Sequence, residues 1–337
     1  MSTQASNALP EAVRALAEAD FGAVAQRFRE AGFAVGLPAR GIMTVKAAAG
    51  QARLGAARAS VLVSVGVHGD ETGPIEMVAH AVEALSREPR ELAVDFMLCV
   101  GNIDAIAAGK RFIDADLNRM FRAQRGALAC AAEATRADTM IAATAAFFDG
   151  AGPERWHLDL HTAIRASHYP TFAVVPELIA DESRQALVGW LGEAAIGAVI
   201  MNPRSAGTYS YHSAELHGAA ASTVELGRVG TLGRNDLSQF DDVAAALNRL
   251  LRGRPPHAAA AQPHVFKVAQ EVVKLSDDFR MNFGRDTQNF AALKRGEVIA
   301  TDGETVYTVS HDEELVVFPN PDVRVGLRAG LMVVRIA

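Results

Sequence analysis

His68 and Glu71 stand three residues apart in VLVSVGVHGDETGP, where an apolar run ends in a glycine-rich turn. An imidazole nitrogen and a carboxylate oxygen are donors that zinc accepts. By itself such a pair more often belongs to a solvated turn than to a metal centre. His161 closes a second apolar run, WHLDLH, and Glu225 lies near the end of a third, AAASTVELG. Two histidines and one carboxylate leave a fourth position open on zinc, which is the arrangement of catalytic rather than structural sites. A further carboxylate, Glu225, could then act as general base towards water. His157, Asp159 and His161 alternate along one run and therefore share a strand face. A ligating histidine usually passes its second ring N–H to a carboxylate. Asp159 is a candidate for that part, and equally for a buried structural acid. His80 falls within an expected helix and reads as a surface residue.

A second polar cluster follows another apolar run, in GNIDAIAAGKRFIDADLNRMF over 101–121, with Lys110, Arg111, Asn118 and Arg119. Loop arginines are mostly solvated. The chain is acidic, with a formal net charge of −6, so an anionic substrate must be met by local arginines, which grip carboxylates in bidentate fashion. The same charge leaves no bulk basic surface for nucleic acid or anionic membrane.

Periodicity supplies the elements that must position these residues. Helices are expected over 10–31, 73–88, 127–148, 181–194 and 236–251, and strands over 43–48, 59–67, 92–101, 156–161, 171–176 and 219–227. Apolar strands alternating with helices predict an α/β fold with a mixed sheet flanked by helices. In such sheets ligands bind beyond the carboxyl ends of the strands, where the runs bearing His68, His161 and Glu225 all end. The Pro- and Ala-rich stretch 251–264 reads as a linker between a catalytic domain, 1–251, and a smaller, mainly β domain, 262–337. There is no internal repeat. The N-terminal stretch MSTQASNALPEAVRALAEAD lacks the pattern of a secretory signal, and no run reaches the ~18 apolar residues of a membrane span. Cys99 and Cys130 form no CxxC pair, which points to two reduced thiols in a cytoplasmic protein.

HGDE at 68–71, DADLNRMF at 114–121, DLHTAIR at 159–165 and TVELG at 223–227 together resemble the aspartoacylase/succinylglutamate desuccinylase family, a branch of the carboxypeptidase-like zinc hydrolases. The closing FPNPDVRVGLRAGLMVV resembles its C-terminal domain. GKRFIDADLNRMF and DLHTAIR are most similar to the succinylglutamate-cleaving members. The resemblance implies one zinc per chain, held by His68, Glu71 and His161. It makes Glu225 the catalytic base and proton shuttle, and it gives Arg111 the scissile carbonyl. Asn118 and Arg119 would hold a substrate carboxylate. The implied reaction is hydrolysis of N2-succinyl-L-glutamate to succinate and L-glutamate, the last step of arginine breakdown through succinylated intermediates. Arg165, four residues beyond His161, is then the candidate for the extra carboxylate of a succinyl group. The alternatives are an aspartoacylase-like deacylase, a peptidase, and a non-catalytic metal- or ligand-binding module. The intact Glu225 speaks against the last. From the C-terminal unit the sequence offers only Tyr307 as a site residue, and it leaves a homo-oligomer open.

Overall fold

The computed structural model describes residues 9–47, 58–257, 261–284 and 286–337. Three expectations reach outside them: the N-terminal stretch read for a leader (1–8), the strand expected to 48, and the linker (258–260). The chain begins with α1 (Glu11–Ala17), α2 (Gly22–Glu30), β1 (Ala34–Ala39), β2 (Ile42–Lys46) and β3 (Ser60–Val65). Then come α3 (Thr72–Arg87), β4 (Asp95–Val100), α4 (Ile103–Ala108), α5 (Ala134–Phe148), β5 (Arg155–Ala163) and β6 (Thr171–Pro176). The catalytic half ends with α6 (Asp181–Glu193), β7 (Ala198–Asn202), α7 (Tyr209–His217), β8 (Ala220–Arg228) and α8 (Asp241–Leu251). Seven strands follow: β9 (His264–Val273), β10 (Arg280–Met281), β11 (Ala291–Lys294), β12 (Val298–Asp302), β13 (Thr305–Thr308), β14 (Glu313–Val317) and β15 (Arg328–Arg335).

The helix expected over 10–31 is two helices. The break falls at Ala19, which adopts a left-handed φ of 61°, and the apolar periodicity resumes on the far side. The helix expected over 127–148 starts only at Ala134, after a 3-10 turn at Gly126–Cys130. α4 and α7 escaped the sequence reading; each is short, at 6 and 9 residues, too short for a clear apolar stripe.

Among the described residues, the strands form one 12-stranded sheet in the order β1-β2-β4-β3-β5-β8-β6-β7-β9-β15-β14-β11 and one small sheet of β10-β12-β13. β4, β3, β5 and β8 are parallel neighbours. β3 is buried at every position, as a strand must be when both faces of a parallel sheet are covered. β6 runs antiparallel to β8.

The C-terminal strands are as expected, but they do not stand apart. β9 pairs in parallel with β7, Ala198 opposite His264 through Met201 opposite Lys267, so the main sheet runs on into the β domain. Phe172 and Ile200 of the catalytic half share an apolar cluster with Phe266, Phe290, Val317, Leu331 and Val333, and the Phe172 and Phe290 rings meet edge to face at 5.3 Å. Burying each such side chain is worth ~1.5–3 kcal/mol, so the junction is held as a core is held. No helix among the described residues is long and apolar enough to cross a membrane.

Candidate active site

The turn after β3 answers why a buried strand ends in HGDE. A Cβ on Gly69 would lie 2.2 Å from the carbonyl carbon of Ala105 and 2.3 Å from the nitrogen of Ile106. Only glycine lets the turn lie against the α4 backbone, and that contact turns His68 and Glu71 inward, where both are buried. On β5, His161 stands in register with Glu225 of β8. Partners on adjacent parallel strands point to the same face, so these two side chains stand side by side.

The donor atoms of His68, Glu71 and His161 all lie within 4.8 Å of one another. Nδ1 of His68 is 2.8 Å from Glu71 Oε1, and Nδ1 of His161 is 2.8 Å from Glu71 Oε2. The outer nitrogens are held by acids: His68 Nε2 by Asp116 Oδ1 and His161 Nε2 by Asp159 Oδ2, each at 2.9 Å. Inward Nδ1 atoms with Nε2–H donated to a carboxylate are how ligating histidines are oriented. The donor set is buried, carries two imidazoles and one carboxylate, and fits a metal ion. Burial pushes the Glu71 carboxyl up, but His68 and His161 outweigh it and hold it well below the usual range.

Support for His161 extends further. Ser64 Oγ donates to Asp159 Oδ1 at 2.5 Å, and His157 Nε2 lies 2.8 Å from the same hydroxyl. His157 Nδ1 is 2.7 Å from Ser213 Oγ on α7. Burial drives His157 down to about 4, so it is neutral. With the Ser64 hydroxyl donating to Asp159, His157 donates from Nε2 and accepts at Nδ1. Asp159 thus sits behind His161, and His157 behind Ser64.

The arginine loop is anchored by Glu133, the residue immediately before α5. Its carboxylate accepts the N–H groups of Ile113 (2.6 Å), Asp114 (3.1 Å) and Ala115 (3.0 Å). Arg111 Nη1 donates to Glu71 Oε1 at 2.7 Å, at the rim of the donor set. Arg119 Nη1 lies 3.8 Å from Asp116 Oδ2 and donates to the Asn118 carbonyl. Asn118 is buried, and its Oδ1 accepts the Tyr209 N–H at 2.9 Å, in the first turn of α7. Arg165 points to the β domain, where Nη1 donates to the carbonyls of Gly284 and Thr287 at 3.2 Å each. The Tyr307 hydroxyl donates to the Val273 carbonyl, tying β13 to β9. His80 is exposed.

Glu225 is buried, and its Oε2 has no hydrogen-bond partner. Burial, then the nearby Glu71 carboxylate, push its carboxyl up to about 7. A carboxyl poised near neutrality with an unpaired oxygen is what a general base requires. Two members of the site escaped the sequence reading. Asp116 lies inside DADLNRMF, two residues before Asn118, so its signal was present. Ser64 is a lone polar residue in an apolar strand, and only the packing of β5 on β3 gives it a partner.

Residues 57–251 match the family described as the succinylglutamate desuccinylase/aspartoacylase catalytic domain, and residues 261–336 match the AstE/AspA barrel-sandwich hybrid domain. The succinylglutamate desuccinylase of Burkholderia orbicola (strain MC0-3) is 45% identical over 296 residues, 87% of this chain and 85% of that one. The crystal structure of succinylglutamate desuccinylase from Vibrio cholerae aligns with a TM-score of 0.82 at 32% identity, covering 91% of this chain and 88% of that chain. The one from Chromobacterium violaceum aligns at 0.76 with 31% identity, over 93% and 97%.

Proposed function

The chain belongs to the succinylglutamate desuccinylase/aspartoacylase family of metal-dependent hydrolases, and we propose that it hydrolyses N2-succinyl-L-glutamate to succinate and L-glutamate with one zinc ion per chain. The observation that carries the chemistry is the unpartnered, buried Glu225 oxygen in register with His161. His68, Glu71 and His161 would hold the zinc, which when bound polarises the amide carbonyl and makes water a better nucleophile at neutral pH.

The chain's own groups do the rest. Glu225 takes the proton of the attacking water and returns it to the nitrogen of the leaving glutamate. Arg111, fixed beside Glu71, donates to the carbonyl oxygen as negative charge gathers there. Asp116 and Asp159 hold the two imidazoles in one tautomer. Asn118 and Arg119 take a carboxylate of the amino-acid half, and Arg165 the succinyl carboxylate. We place the reaction in the cytoplasm, where the unpaired Cys99 and Cys130 stay reduced.

The test is hydrolysis of N-succinylglutamate beside N-acetylaspartate and N-acetylglutamate, with and without a chelator. Turnover confined to the succinyl substrate, lost on chelation and restored by zinc, is the expected result. Preference for an acetyl substrate would assign an aspartoacylase-like activity instead. Full activity in a metal-free preparation would remove the metal from the reaction.

A further inference from the structure

Four polar side chains line up behind His161. Asp159 and His157 come from β5, Ser64 from β3 and Ser213 from α7, and each is 0% exposed. The line runs His161–Asp159–Ser64–His157–Ser213, with every step between 2.5 and 2.9 Å. Taking such groups out of water has a cost that only a complete set of hydrogen bonds offsets. The His157 ring also meets the Tyr209 ring edge to face, with centroids 4.5 Å apart. Packing therefore fixes its plane as firmly as its hydrogen bonds do.

A neutral imidazole has one donor and one acceptor, and both neighbours of His157 are hydroxyls. Two arrangements satisfy the ring. In the first, Nε2–H donates to Ser64, whose own proton goes to Asp159 Oδ1, and Nδ1 accepts from Ser213. In the second, Nδ1–H donates to Ser213, whose proton goes to the Tyr209 carbonyl at 3.2 Å, and Ser64 gives its proton to Nε2. Asp159 Oδ1 then faces the Ser64 oxygen at 2.5 Å with no hydrogen between them, which is repulsive. The distances select the first arrangement, because Ser213 Oγ is closer to His157 Nδ1, at 2.7 Å, than to the carbonyl. Asp159 is then met on both oxygens, by Ser64 at Oδ1 and by His161 at Oδ2. A carboxylate held on one side only can turn about its broad terminal torsion and leave the His161 Nε2–H.

We propose that His157 is a positioning residue for metal binding. Its Nε2–H commits the Ser64 hydroxyl to Asp159, and so fixes the carboxylate that turns Nδ1 of His161 to the metal. The inference rests on the functional reading above, because His161 is taken there as a ligand. It makes His157, which touches neither the metal donors nor Asp159 by a hydrogen bond, act on the site through Ser64.

The test compares H157Q with H157N by zinc affinity, read in competition with a chromophoric chelator. The glutamine amide nitrogen takes the place of Nε2 and keeps the donor to Ser64. The asparagine amide takes the place of Nδ1 and loses that donor while keeping the contact with Ser213. His157 lies one step further out than the partners whose loss costs ~10- to 100-fold, so H157N should weaken zinc binding roughly 5- to 30-fold. H157Q should change it by less than about threefold. Adding H157N to S64A should cost nothing more than S64A alone, since both break the same line. Equal affinities in the two His157 variants, or additive losses in the double variant, overturn the proposal and leave the reaction intact. If neither His157 variant folds, nitrogen NMR of the zinc-loaded wild-type chain decides: Nε2–H at His157 is expected, and Nδ1–H overturns the proposal. A wild-type chain that takes up no zinc overturns the functional reading itself, and this inference with it.

Discussion

Asp116 Oδ1 lies 2.9 Å from His68 Nε2 and accepts the Asn118 N–H at the same distance. One carboxylate therefore orients a candidate metal ligand and shapes the turn that presents Asn118 and Arg119. Replacing it by asparagine keeps the turn but removes the charge behind the imidazole. We expect D116N to weaken zinc affinity ~10- to 100-fold, read by competition with a chromophoric chelator. Unchanged affinity would confine Asp116 to the turn.

As the proposed general base, Glu225 would have to be ionised to accept a proton. Its carboxyl is pushed up to about 7 by burial and by Glu71, and a bound cation draws it lower. The kcat/KM profile should therefore fall on the acid side, with its limb at or below pH 7. E225Q should lose at least ~10²-fold in kcat with zinc retained. A near-normal kcat would make Glu225 structural.

Arg165 donates to two carbonyls of the β domain, so its removal sets a selective role against a structural one. If it also reads the succinyl carboxylate, R165A should lose roughly 10- to 150-fold in kcat/KM on N-succinylglutamate and far less on N-acetylglutamate. Equal losses on both would limit Arg165 to joining the two domains.

Glu314 is a pH-sensitive brace of the β domain. Burial pushes its carboxyl up, but His311, Gln270 and the N–H groups of Ser310 and His311 outweigh that and hold it at about 2. Gln270 Nε2 and Ser310 N stand 2.7 and 2.9 Å from it. A folded pKa below the unfolded value means stability present in full above the ordinary glutamate range and lost as pH falls towards 2. At pH 7 E314Q should be less stable than wild type by ~1–2 kcal/mol in urea, allowing for screening. The gap should narrow between about pH 4.5 and 2. A constant gap across that window would show that the ionised form contributes nothing.

The polar positions that end apolar runs were legible as a sequence, because strand ends and ligand-binding crevices coincide in α/β sheets. His68, Glu71, His161 and Glu225 could be picked out by residue type and by their place at run ends. Asp159 followed from the two-residue period of a strand. What the sequence could not supply is registry between elements far apart in the chain. His161 meets Glu225 because β5 and β8 pair in a particular register, and a slip of one residue would turn Glu225 away. Ser64 becomes a support only because β3 lies against β5. The β domain reads as a separate unit in sequence, since each of its strands is short and locally patterned. Its place in the structure was decided by the pairing of β9 with β7 and by the shared Phe172 and Phe290 core. That docking carries Arg324 to the Asp114 carbonyl of the arginine loop, across more than half the chain, where no local pattern announces it. Residue types set which chemistry was available. Strand pairing and domain docking, which depend on buried area and hydrogen-bond registry rather than on neighbours in sequence, decided which of those residues meet.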